Sequence, residues 1–135
     1  TSSRPIGVFQ GCRFTDPTLN YKLFAQMWTA STSATDILAH VADDPRQLFQ
    51  VQGEGSWTQV MLGLNAEVST YVAGNTNFGK SVLSLEATTP ATTGTFPFRS
   101  VDFVDGPDSS VGDAFTDMIV MWNADIHQYD LALGT

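Results

Sequence analysis

The sequence has one cysteine, two histidines and six basic residues in 135 positions, and each shortage closes a class of protein. Cys12 alone cannot supply an internal disulfide framework, so stability must come from an apolar core, and a reduced, partly buried thiol is the expected state. Six Lys and Arg against 14 Asp and Glu leave a formal charge of −8 and a pI near 4.3. Neutralising a nucleic-acid backbone takes clustered cations, and these are few and scattered, so no nucleic acid is expected as a partner. An anionic membrane surface is disfavoured for the same reason. No apolar run approaches the ~20 residues of a spanning helix, and the opening TSSRPIGVFQGC holds no hydrophobic signal core. Nothing resembles a metal-binding HExxH helix or a ladder of Cys and His ligands.

What the chain does have is apolar residues at 42% and hydroxyls, with 16 Thr and 11 Ser. The first figure argues against general disorder. The second means that the polar surface is built largely from Ser and Thr. The length suits one domain with one sizeable core.

Short alternating runs recur from Asp36 onward. Residues 36–42 place Ile37, Ala39 and Val41 on one face, and Asp43-Asp44-Pro45 ends the run. Residues 47–53 set Phe49 and Val51 against Gln50 and Gln52, the clearest strand pattern in the chain. Strands are also expected over 56–62, with Trp57 as an inward anchor, over 66–74, and over 80–87. In 95–106, Phe96 and Phe98 are in phase, but Val101 and Phe103 fall out of it, as a β-bulge or bend would produce. Pro97 favours an edge position or the start of that strand. Residues 116–125 carry a last strand that is apolar on both faces, which suits a central or twice-covered position. Residues 105–113 read as loop. The pattern predicts an all-β fold: a single small β-barrel or jelly-roll-like β-sandwich over 36–135.

Residues 1–35 read differently. Pro5, Gly7, Gly11 and Asp16-Pro17 punctuate them, which suggests an extended N-terminal arm or cover, with a short helix over 19–28 as a lesser alternative. Yet they hold nine large apolar side chains, each costing roughly 1.5–3 kcal/mol if left in water. The stretch is therefore expected either to cover its own core, as an N-terminal strand plus a covering loop, or to dock as an arm on another subunit. Phe9, Phe14, Tyr21, Phe24 and Trp28 are its candidate interface residues.

Few residues in the chain suit catalysis. His40 and His127 are far apart in sequence. A nucleophilic serine needs a positioned base and an oxyanion hole, and the serines sit in turns without the strand–elbow–helix context. Glu54 and Glu67 could in principle act as an acid–base pair on a sugar. Asp102, Asp105, Asp108 and Asp113 gather near one loop, where solvated aspartates are the plainer reading and a structural calcium the sharper one; EF-hand spacing is absent. No enzyme activity and no cofactor are expected.

Several stretches look familiar as a set: GVFQGCRFTDPT (7–18), AHVADDPRQLFQVQGEGSWTQ (39–59), LGLNAEV (62–68), FPFRSVDFV (96–104) and DMIVMWN (117–123). Together they resemble the capsid cement, or decoration, proteins of podovirus-like tailed bacteriophages, VADDPRQLFQVQ being the most distinctive piece. The resemblance implies a non-catalytic virion protein on the capsid surface. It would bind the assembled icosahedral shell, clamp neighbouring subunits of the major capsid protein and self-associate on that lattice. Two other readings compete. A carbohydrate-binding β-sandwich would expose Trp57 and Tyr71 on one sheet face, and a tail or fibre module would form a trimer or ring.

Overall fold

In the computed structural model, which describes residues 5–69, 74–75 and 77–127, the regular structure is extended strand apart from one 3₁₀ turn at Gln59–Met61. The strands are β1 (Val8–Thr15), β2 (Lys22–Ala25), β3 (Leu38–Ala42), β4 (Leu48–Glu54), β5 (Asn65–Ala66), β6 (Leu85–Glu86), β7 (Phe98–Phe103) and β8 (Asp117–Trp122). They form two sheets, one of three strands in the order β2-β1-β3 and one of five in the order β5-β7-β8-β4-β6. The chain divides into two units. One comprises Thr1–Ile6, Asp44–Val72 and Leu83–Thr135; the other comprises Gly7–Asp43 and Ala73–Val82.

The larger unit holds the five-stranded sheet, which nearly closes on itself. β5 pairs with β7 at one end of the strand order. The chain running on from β5 reaches β6 at the other end, where Glu86 N–H donates to Glu67 C=O (2.9 Å) and Ser69 N–H donates to Ser84 C=O (2.8 Å). A barrel-like arrangement results, which removes most of the exposed sheet edge. Register decides what lies inside. Val51 pairs with Met118 and Phe49 with Val120, while Phe98 pairs with Trp122 and Ser100 with Val120. Directly opposed residues share a face, so these side chains point inward with Trp57, Ala66, Leu85 and Ala87. Phe98 and Phe103 reach the same face, although five positions separate them, because the register shifts between Ser100 and Asp102. The phase slip expected in this strand is thus a bulge at Val101, which is left exposed. β8 is central, between β7 and β4, as its two apolar faces implied, and Pro97 stands just ahead of β7.

Trp57 is fully buried, but not from a strand. The 56–62 run contains the 3₁₀ turn, and Trp57 is held from both sides: its amide donates to Thr116 Oγ1 (3.3 Å) and its carbonyl accepts from Gly112 N–H (2.9 Å). Its indole lies against the bare backbone of Gly53, where an added Cβ would sit 2.5 Å from Trp57 Cδ1. Ser100, also buried, keeps its hydroxyl within reach of the Met61 (2.9 Å) and Leu64 (3.1 Å) carbonyls, so its polar atom is satisfied inside the barrel. The run expected at 80–87 shrinks to a two-residue strand. That expected at 66–74 falls partly outside the described residues.

In the smaller unit the helix over 19–28 is replaced by a turn and a strand. Residues 8–15 and 22–25 are strands joined by a turn. Asp16 organises that turn by accepting from the amides of Thr18 (2.7 Å) and Leu19 (2.8 Å). β3 pairs with β1, so residues 38–42 belong to the same sheet as residues 8–25. The glycines read as breakers are accommodated within the sheet. Gly11 follows a register shift in β1 at a φ of +136°, a conformation side chains resist. Gly7 lies so close to the Ala42 carbonyl that a Cβ would not fit.

Candidate interaction surface

All five aromatic residues singled out in the N-terminal stretch lie in the smaller unit, and cross-strand register sorts the strand residues onto two faces. Cys12 pairs with Ala25 and Ala39, Phe14 with Leu23, and Phe9 with Val41. Side chains alternate along each strand, so Phe9, Cys12, Phe14, Leu23, Ala25, Ala39 and Val41 share one face. Residues after β2 fold over part of it. The Trp28 ring meets that of Phe14 edge-on at 5.2 Å, a favourable geometry for two aromatics. Cys12 is buried beneath, with its thiol 3.7 Å from the Met27 carbonyl oxygen.

This cover is incomplete. Phe9 remains 46% and Trp28 37% exposed, and Val41 is exposed beside Phe9. Phe9, Met27 and Trp28 line a shallow groove of about 370 Å³ together with Asn75, Gly79 and Lys80. Gly79, at a φ of +60°, lets the turn close down on Met27. Gln26, Asn75 and Ser81 add polar groups to the lining, and Lys80 adds a cation.

The opposite face carries Arg13, Lys22, Phe24, Leu38 and His40, because Arg13 is the register partner of both Phe24 and Leu38, and Gly11 that of His40. Phe24 is 75% exposed and Leu38 50%. At its margin Asp36 accepts from the Thr15 amide (2.8 Å) and hydroxyl (2.7 Å). These two bonds, the amide first, hold its carboxyl below the usual range, with Lys22 adding a smaller pull. Tyr21, half exposed, stands in the turn between β1 and β2.

The five residues therefore do not form one patch. Phe14 is core; Phe9 and Trp28 flank the groove; Phe24 is on the far face; Tyr21 is at the turn. Val41, Leu38 and Arg13 belong to these surfaces and were not singled out from sequence. For Leu38 and Val41 the signal was in LAHVA (38–42), which carries a large apolar residue in each alternation phase, a pattern also produced by a strand covered on two sides.

The other groups singled out in sequence lie apart. His40 is exposed in the smaller unit, whereas His127 is buried in the larger one with its ring 5.7 Å from that of Trp122. Glu54 lies 3.5 Å from the Ser84 hydroxyl, and Glu67 is exposed. In the aspartate loop, Asp113 accepts from Ser110 N–H (2.8 Å) and Asp102 from Phe103 N–H (2.8 Å), so both serve the local backbone. Among the described residues no three His, Cys, Asp or Glu side chains are placed to share a metal ion. Trp57, fully buried, offers no stacking face to a sugar, and Tyr71 lies outside the described residues.

No protein-family model, curated protein or solved structure matches the chain.

Proposed function

We propose that this chain is a structural virion protein that binds an assembled icosahedral shell through the groove beside Phe9 and Trp28. The major capsid protein is its partner and the capsid surface its location; it acts by holding neighbouring subunits together, without turnover. The cement-protein resemblance of 7–18, 39–59 and the later segments supplies the partner. The supporting observation is the exposed aromatic floor: Phe9, Trp28 and Val41 present apolar area next to a groove, and burying such side chains is worth roughly 1.5–3 kcal/mol each. Repetition over a lattice multiplies a modest site energy. Binding the assembled state alone would stabilise the shell by about 2.7 kcal/mol per site at a free concentration of about 100 Kd.

The test is co-sedimentation with assembled shells and, separately, with unassembled capsid subunits. The wild-type protein should pellet with shells and ignore free subunits. The F9D variant should lose at least roughly tenfold in shell affinity, the equivalent of about 1.4 kcal/mol. Equal binding to free subunits, or an F9D variant that saturates shells like the wild type, would refute the proposal.

A further inference from the structure

Charge is unevenly divided between the two units. Gly7–Asp43 and Ala73–Val82 hold three basic residues (Arg13, Lys22, Lys80) and three acidic ones (Asp16, Asp36, Asp43), and so are neutral. The other unit holds the remaining three basic and eleven acidic residues, and with them the whole formal charge of −8. Within the neutral unit, the sheet face opposite the groove is cationic and apolar. Arg13 stands between Phe24 and Leu38, with Lys22 and His40 on the same side. Asp36 lines a small hollow on this side with Arg13, Lys22 and Leu38 and accepts two hydrogen bonds from Thr15, so the two cations against one carboxylate leave the face a net positive charge.

The acidic unit carries a surface of matching kind. Within residues 105–115, Asp105 and Asp108 are exposed, and so are Val111 (52%) and Phe115 (62%). Large apolar side chains among carboxylates are what a face of large apolar side chains among cations would meet. Contacts between two acidic units bring like charges together and are opposed. A contact between unlike surfaces carries no such penalty.

We propose that the Arg13–Phe24–Leu38 face of one copy docks on the 105–115 loop of a second copy. The contact is head-to-tail, with two different halves. Phe24 and Leu38 bury against Phe115 and Val111, forming an apolar centre. Arg13 and Lys22 meet Asp105 and Asp108 at the rim, where opposite charges select the partner and its register. It does not rest on the shell-binding reading, which uses the other face of the sheet.

Because the halves differ, they can be broken separately. Sedimentation velocity on the full chain from roughly 10 µM to 1 mM should show a mass that rises with concentration. Raising the salt from about 0.05 to 0.5 M should weaken the association about tenfold. F24D and R13E, on the face, should each remain monomeric, as should D105K/D108K, on the loop. Mixing F24D with D105K/D108K restores one intact contact and should give a 1:1 dimer, which also shows that both variants are folded. A wild-type chain that stays monomeric throughout overturns the proposal. So does an F24D variant that associates like the wild type, or a mixture that forms no dimer.

Discussion

Replacing Gly53 with alanine adds a single methyl group at a crowded point of the barrel. The new Cβ would lie 2.5 Å from Trp57 Cδ1, 2.6 Å from Trp57 Nε1 and 2.9 Å from the Thr116 carbonyl oxygen. Ordinary contact begins near 3.4 Å, so the indole or the strand must move by about 1 Å. Neither is free to do so. Trp57 is fully buried among Ala66, Leu85, Met118 and Val120, and β4 is tied to β8 over five register pairs. Gly53 N–H also donates to Thr116 C=O (2.8 Å), fixing the backbone at that point. Overpacking of this kind costs typically 1–3 kcal/mol, and the blocked escape routes place G53A at about 3 kcal/mol. Against a total stability of roughly 5–15 kcal/mol, that is a large loss, readable as a lower midpoint in urea unfolding at unchanged slope. A second measurement isolates the cause. In a W57L background the clash is relieved, so adding G53A should cost under about 1 kcal/mol, and the double-mutant cycle should show strong coupling. A G53A variant within about 0.5 kcal/mol of wild type, the range of surface substitutions, would refute the reasoning, as would costs that simply add.

Two further expectations concern the three-stranded sheet. F14A, which removes a buried ring packed on Trp28, should destabilise by about 3 kcal/mol, whereas F24S, at an exposed position, should change stability by no more than about 0.5 kcal/mol; comparable losses in urea unfolding would contradict the assignment of the two faces. D36N should be less stable than wild type at neutral pH, because the Asp36 carboxyl is held below its ordinary value of 3.8 by Thr15. A carboxyl lowered in the folded state contributes stability above its unfolded pKa and loses it as pH falls through the folded one, so the gap between the two unfolding midpoints should close below about pH 4, and a gap unchanged at pH 2 would count against it.

The aromatic groove and the cationic face differ in how far the sequence anticipated them. The aromatics of the N-terminal stretch were visible as an apolar excess that needed either a core or a partner. Their division between the two was not, because it depends on which strand each residue pairs with. Phe14 and Phe24 look alike in sequence, yet one lies under Trp28 and the other faces away from it. In the sequence Arg13 is one of six scattered basic residues. It gains meaning only when β2 and β3 bring Phe24 and Leu38 to either side of it.

Local alternation by itself determined the β class, the inward sides of β4 and β8, and the bulge in β7, since a period of two records which side of a strand meets water. Only tertiary pairing decided which strands within 8–25 pair with each other and with β3, that 56–62 turns and is not a strand, and that the chain after β5 carries the barrel round to β6. In each case the deciding energy comes from partners distant in sequence. Gly7 and Gly11 read as breakers until β3 is laid beside them, and nothing within 1–35 can announce a strand that begins at Leu38.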